Sequence, residues 1–156
     1  MPEGAEEAFV EALKAAHPDL VEEATILRPK GVSVVARREG FLELARAIRD
    51  EFGFAHPISA GAVDYPKENR IQMIYYLMNP STRFILTLRV NLPRDNLKLP
   101  SMTQLWEAMS FHEREAREMF GIDFEGHPNL IPLLLPPDWR GGYPLRKDFK
   151  GEGAQP

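Results

Sequence analysis

The sequence predicts an α+β fold: a mostly antiparallel or mixed sheet with helices covering one face, then a long irregular tail rich in proline and glycine. Three features predict it. Segments 56–65, 70–78 and 83–92 are rich in Val, Ile, Tyr, Phe and Thr and are punctuated by Pro66, Asn69 and Asn79-Pro80-Ser81. Stretches with helical periodicity stand before and after them. From Gly121 onward no period survives, because Pro128, Pro132, Pro136, Pro137 and Pro144 forbid a continuous helix or a central strand. The expected organisation is therefore a domain over residues 1–120 and an extended interface tail over 121–156.

In order, Ala8, Phe9, Ala12, Leu13 and Ala16 repeat at helical spacing and predict a helix over 5–16. His17-Pro18 ends it, since the residue before a proline disfavours the α region. Thr25 to Leu27 and Val32 to Ala36 read as a hairpin around the turn-forming run Arg28-Pro29-Lys30-Gly31. Over 40–52, Leu44, Ile48 and Phe52 share one face opposite the charges, and Gly53 is the expected stop. Short connections between the next three strands favour antiparallel neighbours. In the third, Phe84, Leu86, Leu88 and Val90 alternate with Arg83, Thr87 and Arg89, so one face is expected to be buried and the other partly wet. Ser101 with Gln104 fits a capping box just after Pro100, and a helix is predicted over 102–120, stopping at Gly121.

Composition excludes several function classes. A chain of 156 residues, 44% hydrophobic and 27% charged, is ordinary globular material of single-domain size. Its net charge of −4 offers no clustered Lys and Arg for nucleic acid phosphates. No apolar run approaches the ~20 residues needed to span a bilayer. The start MPEGAEEAF lacks a signal-peptide n-region, so the expected location is the cytosol unless a partner tethers the chain to a membrane. There is no cysteine, which rules out disulfides, a Cys nucleophile, a thiolate zinc site and a Cys-ligated iron–sulfur cluster. His17, His56, His112 and His127 form no ligand motif; His112-Glu113 resembles the start of HExxH, but the position four after His112 is Ala116.

On the predicted 102–120 helix, Leu105, Ala108, Met109, His112, Ala116, Met119 and Phe120 form one stripe at 100° per residue. Glu113 and Glu115 lie on its margins, with Arg114, Arg117 and Glu118 on the far side. Glu113–Arg117 and Arg114–Glu118 are i,i+4 pairs, which would make an ordinary solvated face. For Glu113 and Glu115, which flank the stripe, the expectation is instead burial against a partner or the arginine-rich tail, where losing either would cost roughly 3–5 kcal/mol. The central position of His112 fits a hydrogen-bonded core histidine better than a base, since no nucleophile accompanies it. In the tail, Phe124, Trp139, Arg140, Tyr143, Arg146 and Phe149 are residue types enriched at protein interfaces, and the prolines lower the entropy lost on docking. The competing reading is a tail that wraps its own domain.

Glu113-Arg114-Glu115, Glu118-Met119-Phe120-Gly121-Ile122, Phe124, Gly126-His127-Pro128 and Pro144-Leu145-Arg146-Lys147-Asp148-Phe149 resemble the signature of the 30-kilodalton subunit of respiratory complex I, the NADH-quinone oxidoreductase. Upstream the resemblance runs through Leu99-Pro100-Ser101, Leu105-Trp106 and Val63-Asp64-Tyr65-Pro66 to cover about residues 40–149. One departure is Ile131-Pro132, where the family usually has two arginines.

The resemblance implies an accessory member of the peripheral arm, without a catalytic site, flavin, iron–sulfur cluster or quinone site of its own. Its implied partners are a large subunit related to hydrogenase catalytic subunits and iron–sulfur subunits of the same complex. Any flavin or nickel–iron centre would reside in those partners. The implied location is cytoplasmic, peripheral to the membrane through the complex. Relatives of complex I, including membrane-bound nickel–iron hydrogenases and ferredoxin- or F420H2-linked dehydrogenases, carry the same subunit with other donors. Glu113, Arg114, Glu115, Glu118, Gly121, His127, Pro128, Trp139, Tyr143, Pro144, Arg146, Lys147 and Asp148 are the expected interface and signature residues. A stand-alone acid–base enzyme using His112, Glu115 or His127, and a free-standing adaptor of similar fold, are the readings from other classes.

Overall fold

In the computed structural model, which describes residues 4–151, five strands form one mixed sheet with three α-helices on one of its faces. Helix α1 (Ala5–Ala16) and the hairpin of β1 (Val21–Arg28) and β2 (Gly31–Ala36) come first. Helix α2 (Phe41–Asp50) then leads to β3 (His56–Tyr65), β4 (Arg70–Asn79) and β5 (Phe84–Pro93). The sheet order is β1-β2-β5-β4-β3, antiparallel throughout except for the parallel β2–β5 pair. That parallel pair requires a crossover, and α2 with the β3–β4 hairpin supplies it.

The predicted β3, β4 and β5 agree with the structure to within a residue or two at each end. Period-two patterning sets their register: Ile71, Met73, Tyr75 and Leu77 of β4, with Phe84, Leu86, Leu88 and Val90 of β5, face the helices and are buried. Phe41, Leu44 and Ile48 of α2 fill the space above them, and the Phe41 and Tyr75 rings lie 5.9 Å apart. Phe9 of α1 packs edge-on against Phe52, just past the end of α2, and lies near Phe84. The opposite face is polar and partly wet, as expected, with Gln72 and Arg70 both donating to Asn91.

Three expectations need correction. The first strand begins at Val21 rather than Thr25; the acidic Val21-Glu22-Glu23-Ala24 carries no alternation because β1 is a largely exposed edge strand. The predicted helix over 102–120 is interrupted. A 3-10 turn at Met102–Gln104 is followed by non-helical residues, and α3 runs only over Met109–Phe120. Finally, β6 (Lys98–Pro100) and β7 (Asp123–Glu125) pair in parallel, so the first residues after Gly121 are ordered against the lead-out of the sheet. Ile122 and Phe124 are buried there.

Candidate functional site

Helix α3 and the tail folded back on it bring together most of the singled-out residues. Glu113 lies at the centre of the buried face rather than at its margin, fully enclosed between α3, β4 and the 101–102 turn. Its Oε1 accepts from the Tyr75 hydroxyl at 3.0 Å and the Met102 backbone N–H at 2.7 Å, and its Oε2 accepts from Ser101 Oγ at 2.6 Å. Burial pushes its pKa up, and these three donors partly offset the shift. The same burial and the neighbouring carboxylate hold the Tyr75 phenol well above its usual range. Glu113 therefore ties the chain leaving the sheet to α3. Ser101 also caps its own 3-10 turn by accepting from Thr103 N–H, and the Gln104 amide donates to the Ser101 carbonyl instead of closing a capping box.

The expected Glu113–Arg117 and Arg114–Glu118 pairs do not form. Arg117 instead donates to Asp123 at 3.1 Å. Arg114 reaches across to the tail, its Nε on the Ile131 carbonyl at 3.0 Å and its Nη2 on the Pro132 carbonyl at 2.8 Å. Glu118 is buried beneath the same loop and accepts from the successive backbone N–H groups of Leu133, Leu134 and Leu135. A carboxylate in the last turn of a helix faces the negative end of the macrodipole, and three converging amides supply the opposite polarity. Arginine and glutamate one turn apart thus hold five consecutive residues by main-chain atoms alone.

Beyond this loop, the tail caps α3. Gly121 adopts φ 84°, and a Cβ there would lie 2.7 Å from Tyr143 Cζ and 2.7 Å from Arg146 Nη2. The positive φ favours glycine, and any side chain there would have to push Tyr143 and Arg146 aside. Leu145 N–H donates to the Met119 carbonyl at 3.2 Å and Arg146 Nε to the Phe120 carbonyl at 2.8 Å, satisfying groups that every helix C-terminus leaves unpaired. The Arg146 guanidinium also sits 4.2 Å over the Tyr143 ring.

At the far end the tail is anchored to the sheet. Arg94, just past β5, makes two bonds to the buried Asp64 of β3, at 3.0 and 2.8 Å, and two to Asp148, at 3.1 and 3.0 Å. Lys147 N–H donates to Asp64 at 2.9 Å. The Arg94 side chain holds the Asp148 carboxyl below its usual range, while the two carboxylates raise the arginine's pKa. Near the start of the tail, His127 Nδ1 accepts from Asn129 N–H at 3.0 Å, and Nε2 lies 3.1 Å from the Ser110 carbonyl, which assigns the proton to Nε2. His127 thereby pins the exposed Pro128 turn to the first turn of α3.

Of the remaining expected residues, Trp139 donates to the Gly142 carbonyl at 2.7 Å and lies against Phe149, and Pro144 is half-buried between Tyr143 and Leu145. Glu115 is half-buried and makes no side-chain hydrogen bond among the described residues. Sequence reasoning missed Tyr75 and Arg94 as members of the site. Arg94 stands in a lead-out segment with no periodicity, and a buried tyrosine in a strand reads as core. Ala108, placed on the apolar stripe, is exposed because the helix does not extend that far.

The surface left by this arrangement is apolar where the tail faces outward. Phe111, Ile131, Leu134, Tyr143 and Leu145 are 62%, 53%, 61%, 40% and 52% exposed. Among the described residues no three His, Asp or Glu side chains gather as a metal site, and no hydrogen bond joins His112, Glu115 and His127.

The family model described as "Respiratory-chain NADH dehydrogenase, 30 Kd subunit" matches residues 34–155. The chain belongs to that family. This 30-kDa family member is 36% identical over 142 residues to a subunit of the NADH-quinone oxidoreductase of Moorella thermoacetica, with 91% of this chain and 93% of the relative covered. It is 32% identical over 143 residues to a subunit of the F(420)H(2) dehydrogenase of Methanosarcina mazei, covering 92% and 90%. Among solved structures, the fold is similar to one polypeptide of the membrane-bound sulfane sulfur reductase, an archaeal respiratory membrane complex, with TM-score 0.83, 26% identity and coverage of 92% and 85%. It is also similar to a trypsin-resistant fragment (1-134) of Nqo5, with TM-score 0.67, 30% identity and coverage of 80% and 98%. As a 30-kDa family member the chain is a subunit of a complex I-like oxidoreductase, and no described helix is long and apolar enough to cross a membrane.

Proposed function

We propose that this chain is the accessory, cofactor-free member of the peripheral arm of a complex I-like oxidoreductase, on the cytoplasmic side of the membrane. It would support assembly and electron transfer coupled to ion pumping. Residues 1–120, completed by β7, serve as the folded platform, and the rest of the 121–156 tail as the partner interface. The partners are a hydrogenase-like large subunit and iron–sulfur subunits. They carry the clusters and any flavin or nickel–iron centre.

One observation carries this reading: beyond β7 the tail is held largely by main-chain and charged contacts, while Ile131, Leu134, Tyr143 and Leu145 stand exposed. Side chains of that kind, left wet in an isolated chain, mark a surface that another protein covers.

The relatives bear names with different donors and acceptors, namely NADH with quinone, F420H2, and sulfane sulfur. A second reading therefore stands beside the NADH–quinone one, in which the chain serves a reductase or nickel–iron hydrogenase relative of complex I. Affinity purification of the tagged chain from its native membranes tests both. Recovery of a hydrogenase-like large subunit with iron–sulfur partners is the expected result, and the flavin or nickel content of that material separates the two readings. A solitary, soluble chain would contradict the proposal, as would a stoichiometric redox cofactor in the purified protein.

A further inference from the structure

We propose that Arg114 and Glu118 are positioning residues whose grip on the main chain of 131–135 builds a docking edge for an apolar partner segment bearing a carboxylate. The inference rests on reading the tail as the partner interface, and it assigns to that interface its shape and the chemistry of its occupant.

Two groups of contacts support it. The grip engages only backbone atoms: Arg114 donates to the Ile131 and Pro132 carbonyls, and Glu118 accepts from the N–H groups of Leu133, Leu134 and Leu135. A loop fixed through its backbone keeps its side chains free, and Ile131 and Leu134 accordingly stand exposed, while the exposed Phe111 of α3 lies against the same Arg114 that grips the loop. Holding two aliphatic side chains in water by a clamp with a buried carboxylate is costly for a lone domain. It is sensible where the clamp lowers the ordering cost of association.

The same loop walls a cleft of about 260 Å³, formed by Leu130, Pro132, Leu135, Trp139, Arg117 and Arg140 among others, so that Pro132, next to Ile131, shares it with Arg140. The Glu118 carboxylate in this cleft is spent on three amides, and Arg117 is paired with Asp123. Arg140 is exposed and among the described residues makes a single side-chain hydrogen bond, to the Trp139 carbonyl. Of the charged side chains that line this cleft, the one left without a carboxylate partner is therefore the Arg140 guanidinium. A segment that covers Ile131 and Leu134 and places an aspartate or glutamate at Arg140 complements both features.

The test uses the full chain expressed in its own host. Leu134→Pro removes one gripped N–H, whereas Leu134→Ser keeps that N–H and removes the apolar group. Both are expected to lower the yield of membrane complex at least tenfold. Only Leu134→Pro should lose hydrogen-exchange protection at residues 133 and 135 in the isolated chain, and Glu118→Gln should behave like it. Arg140→Glu should lower the yield similarly while Arg140→Lys retains it, and neither should change the Tm of the isolated chain. A photo-crosslinking residue at position 134 should attach to a peptide of another subunit that contains Asp or Glu.

Wild-type yield in Leu134→Ser and Arg140→Glu would overturn this inference and leave the proposed function standing. Crosslinks confined to the chain itself, a second copy or lipid would do the same. A wild-type chain that leaves the membrane alone would overturn both.

Discussion

The chain on the two sides of Gly121 is held by opposite means. Before it, large apolar side chains point inward in a period-two or helical pattern, and Glu113 is the most deeply enclosed of the few polar groups buried among them. After the short strand β7 the arrangement inverts: carbonyls, amides and charges hold the segment, while Ile131, Leu134, Tyr143 and Leu145 face outward. Two glutamates on α3 show the difference. Glu113 is fixed by Tyr75, Ser101 and Met102 of the domain, and Glu118, about 140° further round the helix, by three tail amides. One helix thus serves as the wall of a core and as the rack for a tail. An attached segment that spends its polar groups inward has its apolar groups to offer elsewhere.

The largest effect should follow from breaking the core side. Glu113→Ala strands the Tyr75 hydroxyl and the Met102 N–H and leaves the Ser101 hydroxyl to Thr103 alone, and should cost about 3–5 kcal/mol, lowering Tm by on the order of 10 °C. The pH dependence is specific. Because burial raises the pKa of Glu113, the native state holds its proton more firmly than the unfolded chain does. The stability this group contributes is present below the ordinary glutamate value and lost as pH rises through the raised one. Denaturation of Glu113→Gln across that window should show the variant gaining on wild type as pH increases; parallel curves would argue that burial does not dominate.

Next comes the sheet anchor. Arg94→Ala leaves the buried Asp64 with only the Lys147 N–H and frees Asp148, a loss of about 2–3 kcal/mol, with exchange protection at Lys147 lost first. Asp148 has the opposite sign from Glu113: its pKa is depressed, so its contribution is present above the unfolded value and disappears as pH falls through the folded one. Acid should therefore loosen the tail's end while relieving the core carboxylate. Hydrogen exchange followed as a function of pH would show the two regions moving in opposite directions.

A smaller effect is expected at the junction itself. Gly121→Ala must tolerate positive φ and push Tyr143 and Arg146 away, for about 1–2 kcal/mol and a measurable rise in exchange at Leu145. Smallest of all, Glu115→Ala should change the isolated chain by under about 0.5 kcal/mol, because no described residue bonds to that carboxylate. Thermal melts check both. A normal melt in Glu115→Ala combined with a poor yield of complex would assign Glu115 to the partner.

The sequence announced the elements whose residues repeat. Phe84-Leu86-Leu88-Val90 shows the buried face of β5, and Leu44 with Ile48 shows that of α2, because periodicity reports burial directly. It misled where apolar residues continued a helical count past the helix. Leu105 and Trp106 are buried and in phase with α3, yet they belong to the turn before it. The parallel β2–β5 pairing was not legible, since short connections reveal only sequential neighbours. The conformation of the tail was hidden for a different reason. Arg114 and Glu118 stand at the spacing of an exposed ion pair, and nothing in side-chain identity tells that their partners are backbone atoms of residues 131–135. The motif Pro144 to Phe149 pointed to the family but not to Arg94 and Asp64, which it meets across the fold.

The most direct test of the division between platform and docked tail is removal of residues 137–156, followed by two measurements on one protein. The truncated chain keeps the core, β7, the Arg114–Glu118 grip and the Arg94–Asp64 bond, and loses the cap on α3 together with Trp139 and Tyr143. It should unfold cooperatively at a lower Tm than the full chain and fail to co-purify with a large subunit from membranes. Assembly at normal yield would contradict the role given to the tail, and failure to fold at all would make the tail part of the core.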